Sequence, residues 1–123
     1  MHGKKDDWRT VEMMGYTYYS SKGYRILVSL VDNHIYNFVA EKSGKFLRIN
    51  VVQAYLNHRD RPNSWAISRA ASTLSKEDYD ATISEKLDIY LAWLPHQERF
   101  IELDVDFFAN SKSKHRLIPK DLM

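Results

Sequence analysis

Hydrophobic and polar positions alternate along the chain with two different periods, and the periods predict its elements. Between residues 7 and 21 the side chains of Trp8, Val11, Glu12, Gly15, Tyr18 and Tyr19 recur at three- and four-residue spacing. This spacing predicts a helix that Lys22-Gly23 would end. Residues 24–30 are rich in Ile, Leu and Val, which predicts a buried strand.

The middle and the end of the chain show strand patterns separated by turn residues. Residues 36–41 and 45–54 flank a Ser43-Gly44 turn and predict a hairpin. Residues 65–69 predict a short strand, and Ser75 is a candidate N-cap for a short helix. Residues 87–93 and 100–103 predict a strand pair joined by a turn at 95–97. This order predicts an α/β fold, with a mixed sheet and a helix on one face.

Composition restricts the class of protein. The 123 residues suit a single domain spanning residues 1–123, and the 44% hydrophobic share indicates a globular chain. No apolar run approaches the length of a membrane span, and the charged, polar start predicts no signal peptide. The absence of cysteine excludes disulfides and thiolate metal sites and favours a cytoplasmic location. A net charge of +2 is too small to indicate nucleic-acid binding, so such an interface would need local basic clusters.

The hairpin resembles the PD-(D/E)xK nucleases, in the small branch related to Holliday-junction resolvases and some homing endonucleases. In that family the first strand carries an aspartate, and the second carries a glutamate or glutamine, one further residue and a lysine. Asn37, Asn50 and Val52 occupy those places here. Glu12, eleven residues before Gly23-Tyr24, matches the family's first-helix glutamate. The segments 86–93, 98–103 and 113–119 are similar to later parts of the same group.

The resemblance implies a restriction-endonuclease-like mixed β-sheet flanked by helices, Mg²⁺ or Mn²⁺ in active members, a homodimer, and a phage or mobile-element origin. Its chemistry is altered here, because the neutral amide of Asn37 binds Mg²⁺ weakly and Val52 cannot donate to a phosphate. Asn50 is a milder departure, since parts of the family use glutamine at that place. We therefore expect no cofactor and no cleavage. If the protein is active, Glu12 is the expected metal ligand. No pair of histidines has a zinc-site spacing.

Other charged groups offer further candidates. Two basic clusters suit contacts to phosphates, or an ordinary soluble surface: His58, Arg59 and Arg61, then Lys112, Lys114 and Arg116. Three carboxylates, Asp32, Glu41 and Glu102, are candidates for a relocated metal site. The alternative, which is favoured, is that they are solvated charges at strand ends. Glu41 would lie about 13 Å along the strand from Asn37, too far to replace its ligand. The tyrosines of residues 16–19 suit a core or dimer face better than base stacking.

Three functions follow from these observations. The favoured one is a nuclease-fold protein with a degenerate metal site that binds nucleic acid, or a partner protein, without cleaving. The second is an active Mg²⁺- or Mn²⁺-dependent endonuclease, resolvase-like, with relocated catalytic residues. The third is a protein–protein module that keeps the fold as a scaffold. DNA and a protein partner are both open as partners, and no membrane is expected.

Overall fold

The structure, a computed structural model, describes most of the chain: residues 7–28, 35–57, 64–70, 75–82, 87–109, 111 and 113–123. Two α-helices and eight strands lie in these residues. In chain order they are α1 Trp8–Ser20, β1 Arg25–Leu27, β2 Phe38–Lys42, β3 Lys45–Gln53, β4 Tyr55–Asn57, β5 Ser64–Ser68, α2 Lys76–Thr82, β6 Ile89–Leu94, β7 Arg99–Asp104 and β8 His115–Leu117. Neither of the two helices is long and apolar enough to cross a membrane.

Five strands form one mixed sheet in the order β1-β2-β3-β6-β7. All neighbours are antiparallel except β3 and β6, which run parallel with Asn50 opposite Tyr90. A second, antiparallel sheet has the order β4-β5-β8. The predicted α/β class and mixed sheet are confirmed, whereas the second sheet was not predicted.

Helix α1 packs on one face of the five-stranded sheet. Its buried residues are Val11, Gly15 and Tyr19, spaced by one helical turn. Tyr19 joins Phe38 and Leu91 in a cluster between helix and sheet. Asp7 caps the first turn by accepting a 2.8 Å hydrogen bond from the Arg9 main chain. The predicted helix is confirmed within a residue at each end.

Local turn chemistry sets the hairpin as the sequence predicts. Ser43 and Gly44 both have positive φ, at 54° and 81°, as a two-residue turn between paired strands requires. The strand predicted for residues 24–30 is corrected: β1 covers Arg25–Leu27 and is not buried. Because β1 is the edge strand, Leu27 remains 42% exposed. Residues 29–30 lie outside the described part.

The opposite face of the large sheet is covered by the second sheet and by short elements. Trp65 and Ile67 of β5 pack with Tyr90 and Ala92 of β6, together with Phe108. The predicted cap of α2 is present, since Ser75 Oγ accepts a 3.2 Å hydrogen bond from the Asp78 main chain. Residue 49 faces α1 and residue 52 faces this second cluster, as alternation along β3 requires.

Candidate functional site

A cleft of about 490 Å³ opens where the start of α1 meets the end of β3. Strands β4 and β5 complete its wall. The described residues that line it are Asp7, Trp8, Val11, Glu12, Asn37, Val51, Val52, Gln53, Tyr55 and Ser68. Three of the four positions singled out by the resemblance, Glu12, Asn37 and Val52, therefore meet at one place.

Glu12 reaches the cleft from the second turn of α1. It is partly buried, and its Oε1 accepts a 2.8 Å hydrogen bond from the Tyr16 hydroxyl. Burial, then the hydrogen bond and charge of Glu12, raise the pKa of Tyr16 to about 12. Tyr16 therefore stays protonated and donates to the carboxylate at neutral pH. Tyr16 also packs edge-on against Phe38 at 5.0 Å, so the donor of this hydrogen bond is itself in contact with the core.

Asn37 extends the pairing of β2 with β3 by one residue. Its main-chain N–H donates to Ile49 O at 2.7 Å. Its side-chain Oδ1 accepts a hydrogen bond from the Val51 main-chain N–H at 2.6 Å. The amide oxygen is thus engaged by the backbone of the neighbouring strand.

Val52 and Asn50 share the β3 face that looks toward the second sheet. Val52 packs against the cluster there while also lining the cleft. Asn50 is not among the described lining residues, and its Nδ2 donates to Ile35 O at 3.0 Å. Asn50 therefore ties the residues before β2 to β3.

The far wall of the cleft carries a hydroxyl–imidazole cluster. Tyr55 on β4 and Ser68 on β5 both contact Nδ1 of His115 on β8, the serine at 2.9 Å. The Tyr55 ring also meets the imidazole edge-on. Three strands of the second sheet thus bring two hydroxyls and a ring nitrogen to the cleft edge.

The predicted phosphate-binding residues are placed only in part. Lys114 is exposed and directly precedes His115. Arg116 donates to the main-chain oxygen of Phe107, and its guanidinium lies 4.5 Å from the centre of that ring. The remaining four, His58, Arg59, Arg61 and Lys112, lie outside the described residues.

Two of the three candidate relocated carboxylates have other partners. Glu41 pairs with Arg25 at 2.7 Å, and this hydrogen bond lowers the pKa of Glu41. Glu102 accepts hydrogen bonds from Tyr19 at 2.5 Å and Tyr18 at 3.2 Å, on the α1 side of the sheet. Neither is a described lining residue of the cleft. Asp32 lies outside the described residues.

The cleft offers few ligands for a metal ion. In the described part of the chain no three His, Asp or Glu side chains come together in a way that would hold one. Glu12 and Asp7 both line the cleft, but Asp7 is already engaged as the cap of α1. Hard cations such as Mg²⁺ favour several anionic oxygens, which this arrangement does not supply.

Sequence analysis passed over several cleft residues. Helix periodicity placed Trp8 on the same side as Glu12, four residues later, but Trp8 was not considered as a site residue. Tyr55 and Ser68 carry no such local signal. They reach the cleft only because β4 pairs with β5, and His115 joins them because β8 pairs with β5.

Of the comparisons with known proteins, only the one with solved structures found a match. No protein-family model matches the sequence. No curated protein matches it either. Among solved structures, the chain is similar to the bacterial homing endonuclease I-Ssp6803I, with a TM-score of 0.68 and 15% identity over 91% of this chain and 72% of that chain. At this identity the likeness concerns the fold alone, and it confirms a nuclease-like α/β architecture.

Proposed function

We propose that this protein binds nucleic acid without cleaving it, on a scaffold similar to that of a homing endonuclease. The proposal rests on which side chains line the cleft. Where the resemblance implies a metal site, the cleft holds Glu12, an Asn37 oxygen engaged by the Val51 N–H, and the hydrocarbon of Val52. The other carboxylate of the lining, Asp7, is engaged as the cap of α1, so Glu12 alone, with no ammonium group in the described lining, cannot position a divalent ion and stabilise a charged phosphorane.

A cleavage assay tests the absence of activity. The purified protein is incubated with branched, nicked and linear DNA in Mg²⁺ and in Mn²⁺. We expect no turnover. Sustained cleavage that Glu12→Gln abolishes would overturn the proposal, because it would place a working metal ligand in the cleft.

Binding is tested by gel shift over a series of salt concentrations. Contacts to phosphates release counterions, so affinity falls as salt rises, and the slope shrinks by about one for each phosphate contact removed. We expect Lys114→Gln, at an exposed lysine next to His115 in the chain, to reduce the slope. The matched control is Lys45→Gln, on an exposed lysine about 23 Å along β3 from Val52. Equal losses from both variants would contradict binding at this end of the sheet.

The second candidate is a metal-dependent endonuclease with relocated ligands; the observation in its favour is that Asp7, although it caps α1, lines the same cleft as Glu12. It requires divalent-ion binding, which calorimetric titration with Mn²⁺ measures. We expect a flat titration for the natural protein. The triple variant Asn37→Asp, Asn50→Glu and Val52→Lys should gain Mn²⁺ binding. Asn37→Asp should contribute most to the gain in Mn²⁺ affinity, because Asn37 lines the cleft whereas Asn50 is not among the described lining residues, and a lysine at position 52 adds no metal ligand.

The third candidate is a protein–protein module, and the salt series separates it from the first. Absence of DNA retention at low salt would favour a protein partner. Sedimentation of the protein alone and with DNA tests whether it acts as the homodimer that the resemblance implies. A protein partner that competes with DNA for the cleft would leave the proposal intact. If the protein binds a partner protein but does not bind DNA, the third candidate would replace the proposed function.

A further inference from the structure

The charge of the cleft does not suit a phosphate. Its described lining includes two carboxylates, Asp7 and Glu12, and neither lysine nor arginine. An anionic phosphodiester placed between these groups would be repelled. If nucleic acid reaches this cleft, a part of it other than the phosphate must enter.

The aromatic and apolar walls suit a flat ring. Trp8 lines the cleft with 61% of its surface exposed, although a tryptophan is normally well buried. The guanidinium of Arg9 lies 5.3 Å from the centre of its ring. Val11, Val51 and Val52 supply hydrocarbon on the other walls. Exposed aromatic rings at nucleic-acid sites stack on unpaired bases, and any base offers a face for this.

The polar groups of the cleft are rich in acceptors. Glu12 already accepts from Tyr16 through Oε1, yet a carboxylate can accept about four hydrogen bonds in all. Carboxylates therefore select bases whose edges donate. Guanine presents two adjacent donors, the N1 imino and the N2 amino group, which match the two oxygens of one carboxylate. Cytosine and adenine present one amino group, and thymine presents only an imino group.

The groups around the cleft would orient a nucleotide bound there. Tyr55 and Ser68, held by His115, form a neutral hydroxyl wall that suits a sugar. Lys114 precedes His115 in the chain and is exposed, so it can supply positive charge for a phosphate outside the cleft, whereas Arg116 is held against Phe107. Base inward and phosphate outward is the orientation that these charges favour.

We infer that the cleft is a binding site for an unpaired nucleobase with a donor edge, guanine above the others. Trp8 stacks on the base and Glu12 accepts from its edge. Such a base comes from a single strand, or from a nucleotide that is first unpaired and flipped out of a duplex. The inference rests on the proposed nucleic-acid binding and narrows it to a substrate class.

Tryptophan fluorescence tests the site directly. Trp8 is the exposed indole, while Trp65 and Trp93 are only 6% and 9% exposed. In EDTA, the protein is titrated with short thymidine oligonucleotides that carry one central guanine, cytosine, adenine or thymine. We expect quenching and the tightest binding with guanine. Trp8→Phe should remove most of the quenching while keeping much of the affinity.

Two variants and one control separate the contributions. Trp8→Ala should weaken single-strand binding about tenfold, as expected for the loss of one stacked base. Glu12→Gln should remove the preference for guanine with a smaller effect on overall affinity. The control is Met13→Ala, at a residue on the same helix that is 64% exposed and not among the described lining residues of the cleft. It should change neither the affinity for single strands nor the preference for guanine. Urea unfolding verifies that each variant is folded.

The outcomes distinguish this inference from the proposed function. Equal binding of all four oligonucleotides, with Trp8→Ala unchanged, overturns the nucleobase site. If duplex binding with its salt dependence persists in that case, the proposed function stands alone. If neither single strands nor duplexes bind at low salt, both fail together.

Discussion

The side-chain oxygen of Asn37 and the main-chain N–H of Val51 form a 2.6 Å hydrogen bond at the floor of the cleft. This bond gives residue 37 a structural role in joining β2 to β3. It also shows why the position tolerates an amide, since the backbone needs an acceptor and not a charge. We expect Asn37→Ala to lower the free energy of unfolding by about 1 kcal/mol, because a partly buried N–H loses its partner.

The matched variant for this position is Asn37→Asp, which keeps an oxygen in the same place. In urea unfolding, Asn37→Asp should lower the free energy of unfolding by less than Asn37→Ala does. Equal losses would indicate that the hydrogen bond contributes little to the pairing of the two strands.

Gly15 sets the distance between α1 and the sheet. A Cβ at this position would lie 3.2 Å from Val51 Cγ2 and 3.4 Å from Leu91 Cδ2. In Gly15→Ala the gain in helix propensity, about 1 kcal/mol, offsets this tight contact, so we expect little net change in stability. Gly15→Leu should cost about 2 kcal/mol through overpacking. It should also weaken single-strand binding, because α1 carries both Trp8 and Glu12. Unchanged stability in the leucine variant would contradict the observed close approach.

The buried Tyr90 hydroxyl makes hydrogen bonds to two groups. It contacts the Tyr79 hydroxyl and accepts a 3.1 Å hydrogen bond from the Ala70 main chain. Tyr90→Phe should therefore lower stability by about 1–3 kcal/mol, since both partners are left unsatisfied. Tyr79→Phe should cost less, because Ala70 keeps its acceptor. The reverse order in thermal or urea unfolding would be inconsistent with this arrangement.

Asp88 links β6 to β3 through Arg48. Its carboxylate accepts from the Arg48 main chain at 2.8 Å and from the guanidinium at 3.0 and 3.2 Å. Burial works to raise the pKa of Asp88, but the hydrogen bonds and charge of Arg48 outweigh it, so this pKa is lowered. A lowered native pKa contributes stability above the unfolded value of about 3.9 and loses it as the pH falls below that value.

The expected consequence is a pH-dependent effect of Asp88→Asn. At pH 7 the variant should be less stable by about 1 kcal/mol, a figure kept small because the pair is partly exposed to solvent. The difference should shrink as the pH falls below about 3.9 and through the lowered native pKa of Asp88, because the carboxylate then becomes protonated. Urea midpoints at several pH values measure this. A difference that stays constant with pH would show that charge is not what the carboxylate contributes.

The sequence by itself determined the elements whose chemistry is local. The turn at Ser43-Gly44 and the cap at Ser75 each depend on residues within a few positions of one another. Alternating hydrophobic residues marked β2, β3, β6 and β7, because one-sided burial repeats every second residue. The motif positions followed from spacing along the chain, which also placed Glu12 on α1.

Only the tertiary structure decided what meets at the cleft. The parallel pairing of β3 with β6 and the second sheet join segments far apart in sequence, and no local pattern specifies such partners. The pairing of β4 and β8 with β5 brings Tyr55, Ser68 and His115 together. Alternation along β3 sets the face on which Asn50 lies. Strand partners are selected by the packing of both sheet faces at once. A residue's type is therefore readable in the sequence, but its neighbours across the cleft are fixed only when the whole core forms.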